Sequence, residues 1–144
     1  MKISTKGRYA LRFMIDLALN SGKYVALKEA AERQGISKKY LEQIVPMLNR
    51  SGMLLTNRGY QGGYKLAKAP EEYTVGEILR ITEGSLAPVS CLDGEVNTCE
   101  KQNSCITLEL WQGLAKVIND YFDGITLQDL IDKYYRIGAD EYYI

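Results

Sequence analysis

The chain has 144 residues, 46% of them hydrophobic and 25% charged, with three cysteines and no histidine. That size suits one domain with a real core. Lys2, Lys6, Arg8, Arg12 and Asp16 break the N-terminal segment far short of the roughly 18 apolar residues that a bilayer span needs, so it reads as cytoplasmic, with no secretory signal and no membrane partner. The net charge of zero hides a division, because residues 1–68 carry thirteen Lys/Arg against four Asp/Glu (+9) and residues 69–144 carry five against fourteen (−9). A basic half suggests a polyanion partner, and an acidic half steers nucleic acid away from itself.

From Thr5 to Asn20 the residues Leu11, Met14, Ile15 and Ala18 recur at helical spacing, and Ser21-Gly22 supplies a stop. A second helix from Leu27 through Arg33 ends at Gly35, and Ser37 is a good N-cap for a third helix through Arg50. Helix, glycine turn and helix form a helix-turn-helix pattern. Met53–Thr56 and Tyr64–Leu66 read as two short strands around the glycine-rich turn 58–63, a hairpin wing. The pattern predicts a mainly α chain with a winged helix-turn-helix domain at 1–83, and the +9 charge covers that unit.

Thr74 and Glu77 make a capping box for a helix from Val75 to about Thr82, closed by Gly84. A cysteine-bearing loop follows at 84–104. Ile106, Leu110, Leu114, Val117 and Tyr121 then form one apolar seam on a helix from about Cys105 to Phe122, which suggests a dimerisation helix opening the segment 105–144. Burial of the same seam inside its own domain is the alternative. Thr126, with Asp129 three residues on, caps a last helix carrying Leu127, Leu130 and Ile131 that is expected to end before Gly138.

On the third helix, Ser37, Lys38 and Lys39 stand at the start, where cations meet phosphates without reading sequence. Glu42 can accept from cytosine N4 and Gln43 can pair with adenine N6/N7, which makes them the candidate base readers. An intrahelical pair for Glu42 and a plain surface amide for Gln43 are the competing readings. Arg58 suits a narrow minor groove, and Gly59, Gly62 and Gly63 allow a tight turn beside it. Tyr40 and Leu41 fall on the inward side of the helix.

Cys91, Cys99 and Cys105 lie within fifteen residues, separated by seven and five. An odd, clustered set of thiols in a reducing compartment suits ligation of one soft metal centre better than disulfides. Spacing alone leaves a cluster, zinc and buried free thiols open, although the close Cys-x-x-Cys hook usual for zinc is missing. With no histidine, no phosphate loop and no nucleophile motif, the chain is not expected to be an enzyme.

The sequence resembles the Rrf-two family of bacterial transcription regulators, with its IscR, NsrR and CymR branches. The resemblance spans nearly the whole chain through Met1–Ala10, Gly35-Ile36-Ser37 with Tyr40-Leu41-Glu42-Gln43, Arg58-Gly59 with Gly62-Gly63-Tyr64, and Cys105 leading to Leu110-Trp111. It implies a homodimer on a pseudo-palindromic operator in double-stranded DNA. In the IscR-type branch, which it resembles most, it also implies an iron–sulfur cluster on Cys91, Cys99 and Cys105, with two or four irons undecided. The fourth ligand departs from the family: Leu108 stands where the IscR branch has a histidine, and Arg8 where the NsrR branch has an acidic residue from the partner. Glu109, four residues and one helical turn beyond Cys105, is a weak candidate against its reading as a solvated or salt-bridged surface residue, and Asp93, Glu95 and Glu100 are unranked others. The alternative resemblance, to CymR-like repressors, implies thiol chemistry and capture of the Tyr143-Ile144 tail by cysteine synthase.

Overall fold

The computed structural model describes residues 2–142. Helix α1 (Thr5–Leu19) is central and packs on every other large element of the N-terminal half. The Ser4 hydroxyl caps it by accepting from the Gly7 N–H at 3.3 Å, and Ala10, Phe13, Met14 and Leu17 are buried along its inward stripe. Helix α2 (Leu27–Gln34) stops at Gly35, whose left-handed φ of 63° a side chain would strain. Ser37 then caps α3 (Lys38–Arg50) by accepting from the Tyr40 N–H at 3.4 Å. The helix runs on through the exposed Pro46, which contributes no backbone donor.

Strands β1 (Leu54–Asn57) and β2 (Gly63–Leu66) pair antiparallel, Leu54 opposite Leu66 and Asn57 opposite Gly63, each starting one residue away from the expected position. A third backbone segment joins them. Val25, in the link between α1 and α2, exchanges hydrogen bonds of 2.8 and 2.9 Å with Tyr64. A Cβ on Gly63 would collide with the Val25 carbonyl, so glycine permits this approach.

Helix α4 (Val75–Glu83) has the expected capping box, with Glu77 N–H to Thr74 Oγ1 at 3.1 Å and Thr74 N–H to Glu77 Oε2 at 3.3 Å. The loop after Gly84 holds only short 3-10 turns at Ser90–Leu92 and Gln102–Ser104 before α5 (Leu108–Asp123) and α6 (Leu127–Tyr142). Two expected boundaries need correction. Helix α5 begins at Leu108, because Cys105 keeps an extended backbone (ψ 112°) and the chain becomes helical only after Thr107. Helix α6 continues through Gly138, because a glycine stops a helix by taking positive φ, which Gly138 does not.

The main core combines α1–α3 with Tyr73, Ile78, Leu127 and Ile131. The last helix thus contributes Leu127 and Ile131 to the core built by the segment before Gly84. Backbone pairs Val75 N–H to Ile125 O and Leu127 N–H to Tyr73 O, both 2.9 Å, hold α6 there. A smaller cluster of Val75, Leu79 and Leu86 receives Ile118 and Phe122 of α5.

Candidate nucleic-acid interface and cysteine loop

Helix α3 is divided lengthwise. Leu41, Ile44, Val45 and Leu48 are fully buried, while Ser37, Lys38, Lys39, Glu42 and Gln43 are exposed. Tyr40 is half-buried and packs edge-on against Tyr9 with ring centroids 5.4 Å apart, so it serves packing, as its inward position implies. Lys38 Nζ lies 3.8 Å from Glu42 Oε1 with both side chains more than half exposed. That contact is weak enough for the carboxylate to exchange it for a base edge. Gln43 is an unencumbered exposed amide.

The wing stands beside this helix on a stiff base. Tyr73, fully buried, donates its hydroxyl to the Met53 carbonyl at 2.6 Å and accepts from the Ala67 and Lys68 N–H groups, each at 3.0 Å. One phenol therefore closes the open end of the hairpin, and burial pushes its pKa up. The tip is also tightly closed: Gly62 N–H donates to Gly59 O at 2.9 Å, Gly59 has φ 98° and Gln61 φ 60°. A Cβ on Gly62 would strike the carbonyls of Asn57 and Gly59. Arg58, Gly59, Tyr60 and Gln61 are all exposed at this tip.

The three cysteines are free thiols, Cys91 half-buried and Cys99 and Cys105 exposed. A hydrogen bond with the Thr107 hydroxyl, together with the N–H groups of Thr107 and Leu108, holds the Cys105 thiol below its usual range. In donor chemistry the set fits an iron–sulfur cluster, being soft thiols committed to no disulfide. In placement it is not gathered, since among the described residues no three Cys, Asp or Glu side chains group closely enough to hold a metal ion. Glu109 lies exposed in the first turn of α5, but Cys105 precedes that helix, so the one-turn relation between them is absent here. Arg8 is exposed and donates to Thr5 Oγ1 at 3.2 Å. Tyr143 and Ile144 lie outside the described residues.

The expected seam is open on α5, where Leu110 is 61% exposed, Val117 64% and Tyr121 65%, while Ile106, its expected first member, is 96% exposed in the turn before the helix. Its opposite face is held to α4 by Arg80, which makes a two-pronged contact with Asp123 (2.8 Å each) and a 2.6 Å bond to Asn119 Oδ1. This guanidinium holds the Asp123 carboxyl below the usual carboxylate range. A Cβ on Gly76 would strike the Asp123 carboxylate, so that glycine lets α5 dock.

The family model described as "Iron-dependent Transcriptional regulator" matches residues 3–133. IscR of Erwinia tasmaniensis is 38% identical over 92% of this chain and 80% of its own length. Among solved structures, T. potens IscR (37% identity, TM-score 0.74, 93% of this chain and 88% of that one) and CymR, the global cysteine regulator of B. subtilis (36%, 0.75, 92% and 98%), share the whole fold. The chain belongs to the Rrf2 family. It is a DNA-binding winged-helix transcription regulator and not an enzyme.

For an Rrf2 regulator the residues that sequence reasoning missed are those that hold the wing base and α5 to the core. Tyr73, Val25 and Arg80 carry no motif, and only the fold brings their partners to them. Tyr73 follows Pro70-Glu71-Glu72, and an aromatic beside a helix start signals burial without naming its partners.

Proposed function

We propose that this Rrf2 regulator works as a homodimer that lays α3 in the major groove and the wing in the adjoining minor groove of a pseudo-palindromic operator. The observation that carries this is the division of α3, with a fully buried apolar stripe behind and Lys38, Lys39, Glu42 and Gln43 exposed in front, beside a wing fixed to the same core. Lysines set affinity through phosphates, Glu42 and Gln43 read bases, and Arg58 and Gly59 bring the wing to the duplex. The open α5 seam supports pairing of two copies, which sets two half-sites about one helical turn apart.

Cys91, Cys99 and Cys105 would hold an iron–sulfur cluster, which when bound supplies a centre responsive to oxidant, nitric oxide or iron supply. The chain's own residues carry the response. The loop leaves α4 at Gly84 and returns as α5, and Arg80 clamps α5 back on α4, so rearrangement of the loop bears directly on the helix that adjoins the wing base. Anaerobic purification of wild type and Cys99→Ala, with iron, sulfide and zinc quantified per chain, tests the cofactor. Iron and sulfide in wild type and their loss in the variant are expected. Footprinting tests the dimer, and protection of a single asymmetric half-site by a monomer would falsify it.

A second reading, a thiol-responsive repressor of cysteine metabolism that partners cysteine synthase through Tyr143 and Ile144, draws support from the three free thiols and from the likeness to CymR. An iron-free protein that co-purifies with cysteine synthase, and loses it on deletion of Ile144, would favour this reading.

A further inference from the structure

The wing tip carries an aromatic ring with no role in the fold. Among the described residues Tyr60, 95% exposed, and Ile106, in the turn before α5, are the large hydrophobic residues most open to solvent. A lone exposed tyrosine is ordinary on a protein surface. This one, however, sits between two residues in left-handed conformation, Gly59 at φ 98° and Gln61 at φ 60°. For Gln61 that conformation is unfavourable, and the tight backbone of the tip keeps it there. The hairpin is also tied to the core by the Val25–Tyr64 bridge and the Tyr73 hydroxyl, so the ring is displayed from a stiff support two residues from Arg58.

We infer that Tyr60 is a second reader at the wing tip, its ring entering the minor groove beside Arg58 and its hydroxyl donating to adenine N3 or thymine O2. The chemistry separates it from a phosphate anchor. The minor-groove floor of A·T pairs offers only acceptors, whereas guanine adds an amino group there, so a phenol donor fits A·T and meets an obstruction at G·C. The flat ring is thin enough for a groove about 6 Å wide, and its transfer from water to the groove walls adds an uncharged contribution to affinity. The inference rests on the operator-binding reading above and assigns the wing a base preference that a guanidinium alone does not supply.

The test uses the full-length protein and a duplex that the wild type selects from a randomised pool, with binding followed across a salt series. Tyr60→Ala is expected to weaken binding roughly tenfold to a hundredfold. Tyr60→Phe is expected to weaken it about two- to tenfold where A·T pairs face the wing, and not where G·C pairs replace them. Neither variant should change the salt slope, because a phenol displaces no counterion, whereas Arg58→Ala should lower it by about one. Equal affinity of wild type and Tyr60→Ala on the selected duplex overturns the inference and leaves the operator reading standing. A wild type that selects no duplex overturns the operator reading and this inference together.

Discussion

Replacing Tyr73 by phenylalanine removes one oxygen and leaves the packing of a fully buried ring in place. Three hydrogen bonds disappear, two accepted from Ala67 and Lys68 and one donated to Met53. At about 0.5–1.5 kcal/mol each, their sum would be roughly 1.5–4.5 kcal/mol. Two facts in the structure lower that figure. Lys68 is exposed, so its N–H can turn to water, and the Ala67 N–H also reaches the Met53 carbonyl at 3.2 Å, so those two groups keep each other. About 2 kcal/mol should remain, read as a lower urea midpoint with an unchanged slope. Since the lost bonds span the open end of the hairpin, operator affinity should fall in the same variant although Tyr73 touches no DNA. The pH dependence gives an independent check. Burial raises the Tyr73 pKa in the folded state, so its stabilisation is complete below the unfolded value near 10 and is lost as pH rises through the folded value. Alkaline destabilisation should therefore be shallower in Tyr73→Phe than in wild type. A midpoint shift worth less than about 0.5 kcal/mol would refute the clasp.

Asp16 is 2% exposed and accepts both prongs of Arg33 at 2.9 Å, with Gln34 at 3.2 Å. Asp16→Asn should cost about 1–3 kcal/mol in urea unfolding, less than a fully buried pair because Arg33 can rehydrate, and no measurable change would contradict the role given to this pair. Acid should loosen α5. The Arg80 guanidinium depresses the Asp123 pKa, so that stabilisation is present above the unfolded value near 4 and disappears as pH falls through the lower folded value. Trp111, the sole tryptophan and part of α5, should report a fluorescence step below pH 4 that Arg80→Met lacks; identical titrations would show that the clamp does not hold the helix.

Most of the fold was legible because its signals are local. Ser37, Thr74 with Glu77, and Thr126 with Asp129 cap their helices through bonds formed within three residues of chain, and a cap is visible wherever its sequence occurs. The limits at Cys105 and Gly138 were misread because apolar spacing continues past a helix end and because glycine only sometimes takes positive φ. For the interface, which residues of α3 are exposed and which buried follows from helix period alone. The wing base does not, since Val25, Met53, Ala67 and Tyr73 meet through tertiary contacts that no spacing encodes. The cysteines were legible as a group, yet their distances depend on a loop with only two short turns, the least locally determined segment of the chain.

The opposed halves give the neutral chain its electrostatic logic. A net charge of zero would give a uniformly mixed surface no long-range attraction for a duplex. Here the +9 residues 1–68 contain α1, α2, α3 and the wing, while the −9 residues 69–144 contain α4, the cysteine loop, α5 and α6. A duplex is thus drawn to the basic surface that includes α3 and the wing tip, which would favour their approach to it. The same division bears on pairing. Two copies meeting through the α5 seam bring like-charged segments together, and the seam residues Leu110, Leu114, Val117 and Tyr121 are themselves uncharged, so apolar burial has to outweigh that repulsion. Association and DNA binding then respond to salt in opposite directions: screening favours the pairing of acidic segments and weakens the grip of basic ones. Under the homodimer proposed above, the same charge that would orient the regulator on its operator would also leave its two copies only as tightly paired as the apolar seam allows.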